Sequence, residues 1–357
     1  MAVVSERSLM LIGAQIKAGG GDMREARFVG GILCGGYGKR LKPLTDTVPK
    51  SLIEIKEGYT VLEHQLLKLK YAGVSKVYLL TGYLHEKIEE KFGAEWRGVK
   101  IEYLIEDKPR GTLYAINNLL SAMKEGEVAV VMNGDIVSDV NVREMLRSWV
   151  EGTVSMFITP LTSPYGIVEA SPDGRISSFI EKPKLPYYIN GGIYIIPKDL
   201  ESYFKAYSEG DVEKLVFPKL AKAGLLKYYR EDDVYWQSID SLKDLESVRD
   251  EYRNRNDAPW GYERTLVLNE HFMAKTVYVM KGYSTPLHMH REKDETIHVV
   301  KGEGIVSLNG ENLYVKSNDI IRVKPGTKHA VMALENLLVN EYSTPHPEDL
   351  VVLEGQY

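Results

Sequence analysis

The segment Gly30-Gly31-Ile32-Leu33-Cys34-Gly35-Gly36-Tyr37-Gly38-Lys39-Arg40, followed by Leu41 to Lys50, joins a short apolar run to a basic loop dense in glycine. The apolar residues from Phe28 to Leu33 predict a first β-strand, because they form an uninterrupted run of strand length. The loop that follows would then lie at the carboxyl end of this strand. Ligands of α/β proteins bind at such ends.

The residue types in this loop suit a phosphate group. Glycines at positions 35, 36 and 38 allow a sharp turn and bring backbone N–H groups close to an anion. Arg40 adds a planar fork of donors for phosphate oxygens, and Lys50 adds a compact point charge. A glycine cluster alone is equally typical of a surface turn. The order strand, glycine loop, arginine and Pro-Lys favours a phosphate site.

Length and composition limit the classes of protein to which this chain can belong. A chain of 357 residues is long for one domain and predicts two. No apolar run is long enough to span a membrane, and the net charge of −5 without a basic stripe makes nucleic acid an unexpected partner. The single cysteine, Cys34, excludes an intrachain disulfide and predicts a reducing, cytoplasmic location. We expect Cys34 to pack as a small apolar residue beneath the loop.

Residues 35–52 read GGYGKRLKPLTDTVPKSL, which resembles the signature GGxGTRLxPLTxxxPKPL of sugar-1-phosphate nucleotidylyltransferases. Lys39 replaces the usual Thr and Ser51 replaces the usual second Pro, and neither change removes a charged group. The resemblance implies an enzyme that converts an NTP and a sugar 1-phosphate into an NDP-sugar and pyrophosphate. It also implies that Arg40 and Lys50 are catalytic. The residues implied to contact the nucleotide in this segment are Leu33, Gly35, Gly36 and Gly38.

From Phe28 onward the pattern alternates between strands and helices. Helical spacing of apolar residues or amphipathic charge patterns predict three helices, and short apolar runs predict strands between them. Buried strands separated by helices predict an α/β fold, with a Rossmann-like, mostly parallel sheet and helices on both faces. The predicted helices are Val61 to Tyr71, Leu84 to Phe92 and Thr112 to Met123, and the predicted strands are Lys76 to Leu80, Ile101 to Ile105 and Glu127 to Met132.

Two further motifs follow predicted strands. Glu106-Asp107-Lys108-Pro109-Arg110-Gly111-Thr112 is similar to the family's E-x-x-P-x-G-T loop, so the resemblance implies that Gly111, and Gly82 in a second loop, contact the nucleotide. Asn133-Gly134-Asp135 ends the most apolar strand, where a carboxylate is well placed to hold Mg²⁺ against phosphates. The alternative for Asp135 is an ordinary helix N-cap. The resemblance favours the catalytic, metal-binding role.

A later block resembles the sugar side of the same family. Tyr165 to Glu169 and Arg175 to Ile180 predict two strands joined by a Ser-Pro-Asp-Gly turn. The segments Tyr165-Gly166, Glu181-Lys182-Pro183 and Asn190-Gly191-Gly192 are similar to the Y-G, E-K-P and N-(G/A)-G motifs. The resemblance implies that Lys182 is catalytic and binds the sugar phosphate. Gly166, Glu181 and Asn190 are implied to contact sugar hydroxyl groups.

A second Mg²⁺ ligand is expected near the last predicted strand, which spans Asp232 to Ile239. Many relatives have W-x-D-I-G-T, but this sequence has Ser238 at the position of that Asp. The arrangement from Trp236 to Asp244 is similar to W-x-x-x-D-(T/S)-L-x-D of sugar-1-phosphate cytidylyltransferases, which implies Asp240 as the ligand. Residues 213–218 look more like mannose-1-phosphate guanylyltransferases, so the nucleotide base stays open.

The domain boundaries follow from a change of pattern. Residues 1–27 fit no clear pattern and are expected to be an N-terminal extension without an assigned function. Residues 28–256 form the predicted transferase domain, and the polar stretch Asn254 to Gly261, which contains Pro259, predicts a linker. Residues 257–357 show short alternating strands and an Asn309-Gly310 hairpin signal, which predict a small all-β barrel or sandwich.

The β-rich region contains a second motif. Its spacing, Gly282-x₅-His288-Met289-His290-x₄-Glu295-x₆-Gly302, resembles the first cupin motif, and residues 325–329 resemble the second. His288 and His290 are two residues apart on a predicted strand and therefore face the same side. With Glu295 and His329 they predict a site for Zn²⁺, Mn²⁺ or Fe²⁺.

Together these observations predict an Mg²⁺-dependent enzyme that acts on an NTP and glucose 1-phosphate or mannose 1-phosphate and forms homo-oligomers. The cupin has two hypotheses, a sugar-phosphate isomerase acting on mannose 6-phosphate, or a module for sugar binding and oligomerisation. A sugar-nucleotide sensor without catalytic activity is a further alternative. Sensors of this kind typically lose the Arg or the metal-binding Asp, and Arg40 and Asp135 are both present.

Overall fold

The computed structural model describes residues 28–355, so the prediction of an N-terminal extension at residues 1–27 lies outside the described residues. The chain divides into two compact units, one that ends at Val248 and one that continues from Arg249. The boundary at residues 256 and 257 stays a prediction. Between residues 28 and 355, no helix has both the length and the apolar character needed to cross a membrane.

The first unit is built from strands and helices in alternation. Its strands are β1 (Phe28–Cys34), β2 (Glu54–Lys56), β3 (Tyr59–Thr60), β4 (Lys76–Thr81), β5 (Glu95–Trp96), β6 (Val99–Ile105), β7 (Val128–Asn133), β8 (Ile136–Ser138), β9 (Val154–Thr162), β10 (Ile167–Ala170), β11 (Ile176–Ile180), β12 (Lys184–Pro197), β13 (Leu226–Arg230) and β14 (Trp236–Ser238). Its helices are α1 (Val61–Tyr71), α2 (His85–Phe92), α3 (Thr112–Ala122), α4 (Val142–Arg147), α5 (Glu201–Lys205), α6 (Val212–Leu215), α7 (Phe217–Lys222) and α8 (Leu242–Tyr252), the last of which runs across the Val248/Arg249 division. Short 3₁₀ turns occupy Lys39–Leu41, Leu44–Asp46, Lys50–Leu52 and Lys198–Leu200.

The central sheet has eight strands in the order β13-β9-β12-β7-β1-β4-β6-β5. The pairs of β1 with β4, β1 with β7 and β4 with β6 are parallel, whereas β12 runs antiparallel to both β7 and β9. The carboxyl ends of β1, β4, β6 and β7 therefore meet at one edge of the sheet. The predicted α/β class with a mostly parallel sheet is confirmed.

Helices cover both faces of this sheet. Ile32 of β1 packs in one core cluster with residues of α1, and Val29 of the same strand packs in a second cluster with residues of α3. Glycines in β1 let the helices approach closely, because a Cβ atom at Gly31 would lie 2.5 Å from Leu119 Cδ2. The packing on opposite faces follows from the alternation of side chains along a strand.

The second unit is all-β among its residues from Arg255 onward. Its strands are β15 (Arg255–Ala258), β16 (Gly261–Leu268), β17 (Met273–Val279), β18 (Leu287–Met289), β19 (Glu295–Lys301), β20 (Glu303–Leu308), β21 (Glu311–Lys316), β22 (Ile320–Val323), β23 (His329–Ala333), β24 (Leu337–Ser343) and β25 (Val351–Glu354). They form sheets of order β15-β16-β17-β24-β19-β22 and β21-β20-β23-β18-β25, with an apolar core of inward-facing residues. The predicted barrel or sandwich is confirmed, and Asn309-Gly310 forms the tight turn between β20 and β21.

One local prediction is wrong. The polar stretch from Asn254 to Gly261 is not an irregular linker, because β15 lies within it and pairs with β16. Arg255 is buried, its guanidinium lies 3.7 Å from the centre of the Tyr262 ring, and its Nε lies 2.9 Å from Asp257 Oδ1. Paired charges allow a polar segment to be buried. Composition alone made this strand resemble a linker.

Candidate active site and metal centre

A cavity of about 380 Å³ lies at the carboxyl ends of β1 and β7. These strands are parallel neighbours with Leu33 opposite Asn133, so the loops that follow them meet at one edge of the sheet. The glycine loop after β1 and the Asn-Gly-Asp turn after β7 both contribute to its walls. The predicted site residues that line this cavity are Leu33, Gly35, Gly36, Gly38, Arg40, Lys50, Gly111, Asp135 and Asp240.

Two cationic and two acidic side chains meet within this cavity. Lys50 Nζ lies 2.7 Å from Asp135 Oδ2 and 3.4 Å from Asp240 Oδ1. Arg40 Nη2 lies 2.6 Å from Asp240 Oδ1, and 76% of its side chain is exposed. Burial opposes ionisation of Asp240, but the charges of Lys50 and Arg40 outweigh it and lower the pKa of this carboxyl. The cluster therefore holds the Asp240 carboxylate in its ionised form beside two cationic side chains.

The position of Asp240 is fixed by hydrogen bonds that surround it. Ser238 Oγ donates to Asp240 Oδ2 at 2.9 Å, and the Asp240 backbone N–H donates to Asp244 Oδ2 at 3.1 Å. The backbone N–H of Ile239 donates to the carbonyl of Asp135 at 2.9 Å. Ser238 thus supports a carboxylate two residues away. No local sequence motif indicates this role for Ser238.

The donor set at this cluster fits Mg²⁺. Asp135 and Asp240 both lie within ion-pair distance of one ammonium group, so a single small cation can contact both carboxylates. Carboxylate oxygens are the hard ligands that Mg²⁺ prefers, and the remaining positions are usually filled by substrate phosphates and water. The basic groups of Arg40 and Lys50 stand beside the same position.

The cavity also contains Glu106, which the sequence shows only as the first residue of the motif from Glu106 to Thr112. Glu106 lines the cavity, and its Oε2 is buried without a hydrogen-bond partner among the described residues. Burial raises the pKa of Glu106, opposed by the backbone N–H of Arg110. Gly82 does not line the cavity but packs against its wall, since a Cβ atom there would lie 3.1 Å from the Gly35 carbonyl.

The predicted sugar-side residues do not line this cavity in the structure. Glu181 and Lys182 are exposed, with their charged atoms 4.0 Å apart, and Lys182 has a positive φ of 46°. The Asn190 side chain donates to Tyr194 Oη at 2.7 Å and accepts from the Gly192 N–H at 2.9 Å. Gly166 lies beside Glu181, because a Cβ atom there would be 2.9 Å from Glu181 Oε2. Their contacts with a sugar stay a prediction.

Cys34 lies at the carboxyl end of β1 and is buried. Burial raises the pKa of its thiol to about 12, although a hydrogen bond with Ser51 lowers it slightly. The thiol is therefore protonated at neutral pH, and a protonated, buried thiol is a poor nucleophile. This agrees with the expectation that Cys34 packs as a small apolar residue.

The second unit brings together three histidines. The ligand atoms of His288, His290 and His329 lie within 4.8 Å of one another, and all three side chains are buried. Each Nδ1 lies beside a backbone carbonyl oxygen, at 2.8 Å for His288 with Pro286 and 3.0 Å for His329 with Thr327, while that of His290 contacts Asp349. We infer that these Nδ1–H groups donate to the carbonyls. This leaves each Nε2 as the available ligand atom.

Glu295 lies beside this cluster. Its Oε1 is 2.9 Å from His329 Nε2, and its Oε2 is 3.5 Å from His290 Nε2 and 2.7 Å from Lys293 Nζ. None of these contacts has hydrogen-bond geometry, so both carboxylate oxygens and both Nε2 atoms are buried without a hydrogen-bond partner in residues 28–355. Such orphaned polar atoms fit a bound cation. The buried Lys293 was not identified from the sequence.

The protonation states of His288 and Glu295 suit metal binding, whereas Glu295 outweighs burial and raises the pKa of His329. Burial lowers the pKa of His288 to about 3, with the neighbouring His329 acting in the same direction. Burial alone would raise the pKa of Glu295, but His329 and Lys293 lower it below its usual range. Neutral imidazole and ionised carboxylate are the forms that bind a divalent metal. The donor set suits Zn²⁺, Mn²⁺ or Fe²⁺ without choosing among them.

Comparison with known proteins gives two family matches. Residues 29–255 match the family model described as nucleotidyl transferase, and residues 275–337 match the one described as cupin domain. A mannose-1-phosphate guanylyltransferase catalytic subunit beta from Danio rerio is 35% identical over 65% of this chain and 68% of its own length. A mannose-1-phosphate guanylyltransferase from Mycobacterium tuberculosis is 32% identical over 60% of this chain and 61% of its own.

A bifunctional protein GlmU from Methanococcus maripaludis is 31% identical over 63% of this chain and 54% of its own length. The alignments thus leave 32% to 46% of the length of these relatives unmatched. Among solved structures, a putative glucose-1-phosphate thymidylyltransferase from Bacillus anthracis superimposes with a TM-score of 0.54 at 22% identity, over 65% of this chain and 97% of its own. This likeness supports the fold of the first unit.

Proposed function

The chain belongs to the nucleotidyl transferase family and carries a cupin domain, and from this premise we propose that it joins the nucleotidyl group of an NTP to a sugar 1-phosphate. The products are an NDP-sugar and pyrophosphate. We propose GTP and mannose 1-phosphate as substrates, because relatives named mannose-1-phosphate guanylyltransferase are 35% and 32% identical to this chain. The observation that carries the proposal is the cavity in which Arg40, Lys50, Asp135 and Asp240 meet.

The reaction demands positioning and charge neutralisation more than a covalent nucleophile. An oxygen of the sugar phosphate attacks the α-phosphorus in line, and pyrophosphate leaves. Arg40 and Lys50 hold the triphosphate, and Lys182 holds the phosphate of the sugar. Asp135 and Asp240 would hold Mg²⁺, which would neutralise charge on the phosphate oxygens.

The ion pairs of this site support these roles. Lys50 and Arg40 contact the same carboxylates that we assign to Mg²⁺. With Mg²⁺ bound, Asp135 and Asp240 would hold the metal in place of the ammonium and guanidinium groups. Each basic side chain can then exchange a carboxylate for phosphate oxygens. No charge is left without a partner, which limits the cost of desolvation.

Pyrophosphate release tests the proposal. We would incubate the full chain and Mg²⁺ with each of ATP, GTP, CTP, UTP and dTTP, against glucose 1-phosphate and against mannose 1-phosphate. We expect release with GTP and mannose 1-phosphate. Pyrophosphate release with another pair of substrates would support the proposed reaction but contradict GTP and mannose 1-phosphate as its substrates. Binding of nucleotide without pyrophosphate release for every pair would favour the sensor.

For the cupin we propose a divalent metal held by His288, His290 and His329 with Glu295, and an aldose–ketose isomerisation of a sugar phosphate such as mannose 6-phosphate. The orphaned histidine and carboxylate atoms support the metal. The acidic and basic side chains that line the adjoining cavity support the proposal that the isomerisation takes place there. Purified protein without metal and without interconversion would instead favour a sugar-binding or oligomerising module.

A further inference from the structure

A second cavity, of about 120 Å³, lies between the two sheets of the cupin. The five-stranded sheet supplies His288 and His329 to its walls, from β18 and β23. The six-stranded sheet supplies Glu263 from β16, Lys275 from β17 and Glu341 from β24. Acid and base groups of one sheet therefore share an enclosed space with the histidines of the other.

Glu341 differs from Glu263, which lines the same cavity, and from the nearby Glu295. Its strand register places it opposite Lys275 on β17 and Ile297 on β19. Lys275 Nζ lies 3.1 Å from Glu263 Oε2, and Glu295 lies beside Lys293. Among residues 28–355, no hydrogen bond or ion pair holds the Glu341 carboxyl. Burial raises its pKa to about 7, and the negative charge of Glu295 adds to this effect.

A half-buried carboxyl without a hydrogen bond or ion pair is costly to a fold, so its presence calls for another explanation. A pKa near neutrality is what a group needs to accept a proton and return it at physiological pH. The position of Glu341 on the cavity wall supplies access to a ligand. A half-buried acid of this kind, lining a cavity beside a metal centre, is typical of a functional site.

We propose that Glu341 is the proton-transfer residue for an aldose–ketose isomerisation in the cupin cavity, an inference that rests on the cupin function proposed above. The Glu341 carboxylate removes the proton from C2 of a 2-hydroxyaldehyde, and an enediolate forms. The same carboxyl returns a proton to C1. The C2 hydroxyl proton moves to the C1 oxygen, so C2 becomes the carbonyl carbon and no oxidant is needed.

The remaining charges of the cavity suit the enediolate. Lys275 and Lys293 place ammonium groups in the cavity walls, near the oxygens that gain negative charge. A bound metal supplies Lewis acidity to the same oxygens. The cavity is smaller than one of ~150 Å³ that encloses benzene. The cavity is therefore large enough for only the reacting end of a sugar, and we expect the rest of the sugar to extend out of the cavity.

The test uses the full, metal-loaded chain and its Glu341→Gln variant. Each is incubated in D₂O with mannose 6-phosphate and, in parallel, with unphosphorylated mannose, and ketose formation and deuterium at C1 and C2 are followed by NMR. We expect ketose from the wild-type chain and a loss on the order of 100-fold or more in the variant. Metal content per chain is measured for both proteins, and we expect it to be equal.

Glu335→Gln is the matched control, because Glu335 is an exposed carboxylate on the turn before β24. It should leave interconversion unchanged. Full activity in Glu341→Gln would overturn the role of Glu341 while leaving an isomerase. Absence of ketose and of deuterium exchange in metal-loaded wild-type protein, with both probes, would overturn the isomerase itself. Pyrophosphate release by the same preparation reports separately on the transferase.

Discussion

Arg40 and Asp135 illustrate how single residues distinguish an enzyme from a sensor on this fold. Arg40 is largely exposed and Asp135 lies at the end of a strand, so neither side chain holds the core together. Because we propose that Arg40 neutralises phosphate charge and that Asp135 holds Mg²⁺, we expect Arg40→Ala and Asp135→Asn each to lower turnover on the order of 100-fold or more. Steady-state pyrophosphate release measures this, with thermal unfolding to verify the fold.

Arg253→Ala provides the control for Arg40→Ala, since Arg253 is exposed and pairs with Asp250 outside the cavity. It should retain wild-type turnover. Turnover near the wild-type value in folded Arg40→Ala or Asp135→Asn would contradict the roles assigned to these residues.

The raised pKa of Glu341 predicts how the stability of the metal-free protein changes with pH. Its pKa of about 7 in the folded state lies above the ordinary value of 4.5, in surroundings that include Glu295, Lys293, Lys275 and Glu263. Between these two pKa values the folded state binds a proton that the unfolded state has lost. The contribution of Glu341 to the free energy of unfolding therefore falls as pH rises through this range. Glu341→Gln should gain stability relative to wild type from about pH 5 to about pH 8.

Thermal unfolding in the presence of a chelator at both pH values measures this difference. Glu335→Gln, which changes an exposed carboxylate, should show no such trend. A melting-temperature difference between wild type and Glu341→Gln that stays constant across this range would contradict the raised pKa.

At the scale of elements, the turn before α3 depends on Gly111. Its φ is 93°, and a Cβ atom there would lie 2.3 Å from the carbonyl oxygen of Gly210. The backbone N–H of Leu113 donates to the same oxygen at 2.9 Å, so the turn cannot simply move away. Gly98 has a similar φ of 83° but open space around it.

We therefore expect Gly98→Ala to cost about 1–2 kcal/mol from backbone strain alone. Gly111→Ala should cost more and should also weaken nucleotide binding, because the turn lines the cavity. Urea unfolding and nucleotide titration measure the two effects. Equal losses of stability in the two variants would indicate that the contact with Gly210 is unimportant.

The elements show which parts of the site sequence could predict. The glycine loop, Asp135 and the histidine spacing were predicted because each belongs to a local sequence motif. Ser238 was missed because its donation to Asp240 depends on the backbone path after β14. Glu341 was missed because its importance depends on register with β17 and β19, which are distant in sequence. Local patterns do not contain such pairings.

At the scale of the whole molecule, each unit contains a site of its own. The phosphate-suited cavity is built from residues of the unit that ends at Val248, and the histidine cluster from residues of the unit that follows. The two-domain organisation was predicted from the change of pattern. The strand β15 was not, because a buried ion pair makes its sequence polar.

Substrate choice was also beyond the sequence, since Trp236 to Asp244 and residues 213–218 resembled different branches of the family. Relatives named mannose-1-phosphate guanylyltransferase now favour the second resemblance, and they motivate the choice of GTP and mannose 1-phosphate. The most direct test of the account is the stoichiometry of this one reaction with Mg²⁺. We predict that full-length protein forms GDP-mannose and pyrophosphate in equal amounts, only when both substrates are present. Nucleotide binding without either product, whichever sugar 1-phosphate and NTP are supplied, would contradict a transferase.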